Sequence, residues 1–466
     1  MRLAKSITLE RTWLCLLKGV SPVLLLFVSI VAKAQDNSPY SRYGLGNLSP
    51  YTNISTRGMG SVSAAYSDPL SINFNNPATY SNFQTFIEQR SKKVSQGRVV
   101  LDVGMNFDNR SLIIPNTSSK YGSTDAFFSY VQVGLPIRKN WGMSFGIRPL
   151  SRISYSISQN EMLHDPNTGN VIDSANTQYT GSGGSYLPTI GTGFAFDLSQ
   201  NNHVSFGFNI GYLFGKRETV TNRAIIDSIV YHPSNYSTTT SFGNVFLSGG
   251  MQYEIDLNKQ KTKLIRLGLD GNLEQKLNAS QDILRQTFTV GTAGDIITID
   301  SVYTKNGVEG KIIYPSSYTA GFLIQNLQTN GSGWILSADY TQSKWSHYRI
   351  YDQMDSVQDN WRLNVGAEFI PKAGVNYFSR VIYRFGFNTG PDYIKVQNSL
   401  PQFGVSFGMG LPIASHTRLT NQFTVLNLAL EYGKRGNNSN LIKENLFRLS
   451  IGFNFTDFWF GKRKYD

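Results

Sequence analysis

Cysteine is nearly absent: Cys15 is the only one in 466 residues. With no second cysteine there is no intrachain disulfide framework, and the single thiol has no lipobox around it. Charged residues are also scarce, at 16% of the chain, below the share usual in soluble domains. Only five histidines occur, His164, His203, His232, His347 and His416. They are scattered over predicted loops and turns, and no His/Cys/carboxylate group has the spacing of a transition-metal site. Long apolar runs are missing too. The stretch 23–32 (VLLLFVSIVA) is well short of the roughly 20 residues a spanning helix needs.

That short run has a use of its own. Arg2, Lys5, Arg11 and Lys18 precede it and Ala32-Lys33-Ala34 follows, which is the layout of a secretory signal peptide over residues 1–34, cleaved before Gln35. Cys15 lies inside this leader. The formal charge of +12 includes five Lys/Arg and one Glu from the leader. For an exported chain whose remaining cations are dispersed, nucleic acid is not a partner.

Aromatics and glycine are plentiful, with 29 Phe, 25 Tyr and 43 Gly. From residue 99 onward the dominant signal is period-two alternation. In residues 99–107, Val99, Leu101, Val103, Met105 and Phe107 share one face, whereas Val100, Asp102, Gly104 and Asn106 share the other. The pattern returns at 141–148, 204–214, 361–369, 403–411 and 447–455. One face is greasy. The other is Gly, Ser and Asn with occasional charges, which suits a lumen better than the charged outer face of a soluble sandwich.

Fourteen such segments are predicted, beginning at 99–108, 126–135 and 141–157 and ending at 424–433 and 446–455. The connections alternate between short ones of about 5 to 12 residues and longer ones of about 12 to 44, fading near the end, as in barrels with short periplasmic turns. The expected fold is all-β: a 14-stranded antiparallel transmembrane β-barrel over 97–466, with both termini periplasmic. Polar loops such as 215–244 and 274–317 would lie outside. Lumen-facing candidates are Asp102, Arg148, Arg362, Glu368, Arg384 and Arg448.

Two G-x-S-x-G matches, Gly142 to Gly146 and Gly404 to Gly408, put Ser144 and Ser406 in mid-strand. A nucleophile elbow needs a strained strand-to-helix turn, so these are read as inward-facing small residues and not as an esterase. Pro149 interrupts the third strand, where it removes a ladder donor and should bend or bulge the wall. The functional reading is a break through which a hydrophobic molecule leaves sideways. Residues 35–96 are rich in Gly, Pro and Asn, yet also in Tyr, Phe, Leu and Ile. A compact plug is the economical reading, because fourteen strands enclose more space than small inward side chains fill.

The leader, the pre-barrel elements Arg57-Gly-Met-Gly60, Asp68-Pro69 and Asn76-Pro77-Ala78, the fourteen alternating strands and the end of the chain from Trp459 together resemble the FadL-like family of outer-membrane transport proteins, in its Bacteroidota-type branch. The resemblance implies a hatch in the lumen that contains Asn76, Pro77 and Ala78, and a kinked third strand that places a lateral opening at Pro149. It implies passive uptake of small hydrophobic compounds, with outer-membrane lipid around the barrel, no cofactor and no enzymatic activity. The inward face, rich in Gly, Asn and charge, shows no clear greasy pocket for a fatty acid. Some FadL-like proteins look like secretion or assembly accessories, so the alternative is a structural subunit with outer-membrane or periplasmic protein partners.

Overall fold

The computed structural model describes residues 37–87, 94–164, 167–225, 232–290, 296–413 and 423–459. The leader with Cys15, His416 and the end of the chain beyond Trp459 lie outside them. Fourteen strands close into one antiparallel barrel: β1 (Val94–Ile113), β2 (Lys120–Arg138), β3 (Trp141–His164), β4 (Val171–Asp197), β5 (Asn202–Ile225), β6 (Ser234–Asp256), β7 (Lys263–Asn272), β8 (Ser317–Leu327), β9 (Gly333–Ser343), β10 (Asn360–Ile370), β11 (Ile382–Val396), β12 (Asn398–Ile413), β13 (Phe423–Arg435) and β14 (Lys443–Trp459). The seam pairs β14 with β1 from Lys443 opposite Ile113 to Trp459 opposite Gly97. Among the described residues no helix is long and apolar enough to cross a membrane; the strands do so.

Alternation sets which side chains face where. Leu101, Met105, Phe145, Phe206, Phe208 and Phe385 are exposed on the outer surface, while Asp102, Asn106, Ser144 and Arg384 are buried on the inner one. An outward apolar band satisfies the hydrocarbon, and the closed ladder satisfies the backbone groups that lipid cannot.

The two long loops prove to be strand. Residues 215–244 are largely absorbed into β5 and β6, which pair up to Arg223 opposite Ser234. Residues 274–317 form a hairpin with arms Gln275–Val290 and Ile296–Tyr314, the first arm also pairing with β6. Their many Ser, Thr and Asn residues alternate with too little apolar contrast to mark a period.

Residues 37–87 run through the lumen. They form short turns of 3-10 helix at Pro39–Arg42 and Pro77–Asn82, one α-helical turn at Ile54–Arg57, and two-to-three-residue strands at Asn47–Leu48 and Thr85–Ile87. The segment starts level with the outer half of β3, where Asn37 bonds to Ser156, and ends beside the start of β1, where Thr85 opposes Gly97. Asn37 therefore sits at the long-hairpin end and Trp459 at the short-turn end. Three buried apolar clusters form at this inner segment: Met59, Val62 and Tyr66 meet Leu264 and Leu323, Ile54 and Phe74 meet Tyr130, and Ile72 and Phe83 meet Val100. A fourth joins Tyr40 and Leu45 of the segment to Leu187, Leu213, Phe242, Trp345 and Tyr393 of the strands and loops.

Candidate functional site: the lumen and its plug

The glycines of the inward face are contact points. A Cβ on Gly386 would stand 1.8 Å from the Gly60 amide nitrogen, and one on Gly58 would stand 2.8 Å from the Gly408 Cα. One on Gly207 would stand 2.3 Å from the Pro77 carbonyl carbon, and one on Gly142 would stand 2.1 Å from the Tyr80 carbonyl oxygen. The strands present bare backbone so that the backbone of the plug can lie flush against them. Ser406, from the second G-x-S-x-G match, accepts a hydrogen bond from the Gly60 N–H at 2.9 Å and donates to the Gly58 carbonyl at 3.2 Å. It is a docking hydroxyl. Gly60 itself has φ +70°, a conformation that disfavours any side chain.

Asn76 caps the Pro77–Asn82 turn by accepting from the Ala78 N–H at 3.2 Å, and Pro77 at the first helical position has no N–H to satisfy. The amide of Asn76 also donates to Ala64 O at 2.7 Å and reaches Met251 O and Leu269 O at 3.3 and 3.4 Å. One side chain thus shapes the turn and ties it both to the plug and to β6 and β7.

Arg57 is fully buried. Its guanidinium donates to Asn106 of β1, to Ser129 of β2 and Ser450 of β14 at 3.1 Å, and to the Thr52 carbonyl at 2.7 Å. Burial lowers its pKa, and Glu431 works against that shift. Burial likewise raises the pKa of Asp68, whose carboxylate accepts from the Leu70 N–H at 2.9 Å in a local turn.

The six lumen-facing candidates divide into three groups. Asp102 accepts from Tyr130 OH at 2.9 Å and from the Ile72 N–H at 3.3 Å, while Tyr130 OH accepts from the Ile54 N–H. Glu368 and Arg384 face each other on β10 and β11 at 2.7 Å, with Tyr66 OH donating to the same carboxylate at 3.0 Å. These three hold the plug. Arg448 is bidentate to Asp108 across the seam at 2.6 Å. Arg148 and Arg362 instead lie against the plug aromatics Phe74 and Tyr51, at 5.1 and 5.7 Å from the ring centres. Both line a cavity of about 380 Å³ beside the plug that also includes Asp270, Tyr314 and Trp345. Its walls mix charge with aromatic rings.

Pro149 is the site of an irregularity. On the β4 side the register slips between Pro149 and Ser151, leaving Leu150 as an extra residue. On the β2 side pairing stops at Ile147 opposite Val131. Beyond that point β3 pairs with the plug: Asn47 opposes Arg152, Leu48 opposes Ser151, the Ser49 N–H donates to Leu150 O, and the Ser38 N–H to Ser154 O. Between β2 and β3, Arg152 contacts the Asp125 carboxylate and the face of Phe127.

Two anchors lay outside the expected set. Asp339 of β9 accepts from the Ser63 and Ala64 amides at 2.5 and 2.9 Å. A lone carboxylate on an inward face of Ile335, Ser337 and Thr341 was the available signal for it. The strand-like pairing of residues 47–48 with β3 had no signal, because two residues carry no period.

A closed fourteen-stranded barrel whose lumen holds its own N-terminal segment is an outer-membrane barrel of the FadL-like fold. Family comparison gives another family name: residues 16–466 match the BamG model, and the chain belongs to the BamG family. Among solved structures, a FadL homologue of Pseudomonas aeruginosa is 13% identical with a TM-score of 0.51, covering 89% of this chain and 100% of that one. The toluene transporter TodX of Pseudomonas putida is 13% identical, with a TM-score of 0.46 and coverage of 89% and 99%. The monoaromatic hydrocarbon channel CymD is 13% identical, with a TM-score of 0.44 and coverage of 88% and 98%. No curated protein matches the sequence.

Proposed function

We infer that this protein is a structural or accessory subunit of an outer-membrane assembly or secretion complex, its barrel a rigid, internally braced scaffold. The observation that carries the reading is the way the plug is fixed. Backbone-on-glycine contacts to β11 and β12, the four-way Arg57 clamp, the Asp339 carboxylate and the Asn76 amide grip it from nearly every side of the wall. A plug that had to shift with each transported molecule would break many buried hydrogen bonds at once, each costly to leave unmade. The cavity beside it mixes charged side chains with aromatic rings, unlike the largely apolar sites that take hydrophobic ligands. A BamG family name, distinct from that of the hydrocarbon channels, leans the same way.

A second reading, uptake of small hydrophobic compounds with sideways exit near Pro149, is favoured by one observation: β2 and β3 are unpaired beyond Val131 and Ile147. Extraction from native outer membranes in mild detergent separates the two. A stoichiometric complex with another envelope protein supports the scaffold; a lone barrel carrying a hydrophobic molecule sinks it and supports uptake.

A further inference from the structure

The short-turn end of the barrel gathers a group of side chains that no sequence spacing announces. His203, Glu254 and Asp256 each bring one ligand atom within 4.8 Å of the others. They come together because Asp197, His203 and Glu254 stand in one row across β4, β5 and β6, as direct cross-strand partners. His203 Nδ1 lies 2.6 Å from Asp197 Oδ1, and Nε2 points at Asp256 Oδ2 from 3.1 Å. That is how a ligating imidazole is held: a carboxylate fixes one nitrogen and the tautomer, and the other nitrogen is left for an ion.

Two further observations point to a ligand. The Asp256 side chain is 1% exposed, and its Oδ1 has no hydrogen-bond partner, an expensive state for a buried carboxylate oxygen. The Lys261 ammonium sits where the ligand atoms converge, 3.1 Å from Asp256 Oδ2 and 2.8 Å from His203 Nε2. Its side chain is 53% exposed. The position therefore takes a cation, and the one there is on a flexible, half-exposed stem that can swing out.

We propose that His203, Asp256 and Glu254 bind one divalent first-row cation, zinc foremost, with Asp197 as the positioning residue and Lys261 displaced. An imidazole beside two carboxylates suits zinc better than calcium or magnesium, which take all-oxygen shells. Glu254 is steadied through Oε2 by Arg266 Nε at 2.7 Å, and Arg266 reaches the plug at Ala65 O. The ion would tie β5 to β6 next to the plug at the mouth of the barrel.

The test is calorimetric titration of zinc into the full-length, detergent-solubilised protein after chelator treatment, with folding checked by heat-dependent gel mobility. At about pH 7.5 one equivalent should bind. Affinity should fall at least about tenfold in His203→Ala and Asp256→Asn. Lys261→Met should bind zinc as tightly or more tightly, since it removes the competing ammonium. Failure of the folded protein to take up zinc, or uptake that His203→Ala leaves unchanged, would overturn the site. So would a Lys261→Met protein that melts earlier and binds no zinc, because the cluster would then be an ionic tie to lysine.

Discussion

At the residue scale, the lesson lies in glycines that look alike in sequence and do different work. The alternation shows that Gly386 and Gly433 both face inward; it does not show what lies opposite. A Cβ at Gly386 meets the plug backbone at 1.8 Å, whereas one at Gly433 meets only Phe403 O at 3.6 Å. Reading the inward glycines as room for a lumen was half of the account, and the occupant was the other half. Gly386→Ala should therefore destabilise the barrel by roughly 1–3 kcal/mol, the range for overpacking against an unyielding neighbour. Gly433→Ala should be neutral or slightly stabilising, because alanine loses less chain entropy in a strand. The temperature at which each variant loses its folded mobility on a gel checks the pair. Equal shifts would mean that the plug is not pressed against β11.

At the element scale, the strands were legible because lipid on one side and small residues on the other make a strong period-two contrast. Their upper ends were not, since the hairpin arms Gln275–Val290 and Ile296–Tyr314 are dominated by polar residues with little period-two contrast. Beside Pro149 the sequence showed a missing donor, and the structure adds what stands in for the lost partner. The β3 edge from Leu150 to Ser156 is satisfied by residues 37–49, through Ser38, Ser41, Asn47 and Ser49. Removal of residues 37–49 should speed deuterium exchange of the β3 amides at 152–156, such as Ser154 and Ser156. The amides at 142–147, paired with β2, should be unchanged. If both stretches respond alike, the inner segment supports the barrel as a whole and not this edge.

At the scale of the whole molecule, the four buried apolar clusters each include the inserted segment and wall residues together, so the segment contributes to the stability of the barrel that encloses it. Composition suggested a compact segment by volume alone; which groups hold residues 37–87 could not be read, since they are single inward residues on strands far apart in sequence. Arg57 links three strands that include both sides of the β14–β1 seam. Replacing it with Met keeps much of the volume but strands the acceptor Thr52 O and removes the charged donor shared by Asn106, Ser129 and Ser450, at a cost of about 2–4 kcal/mol given the strength of hydrogen bonds to charged groups. The loosened plug should also open a water path. In liposome swelling with small uncharged solutes, the intact protein should give no flux above empty vesicles, and Arg57→Met should give a measurable rate while its gel mobility still reports a closed barrel. A braced scaffold requires both halves of that result. Intact protein that already conducts would mean that the plug leaves a standing passage, and a silent Arg57→Met variant would mean that the remaining anchors, Asp339, Asn76 and the glycine contacts, seal the lumen without the arginine.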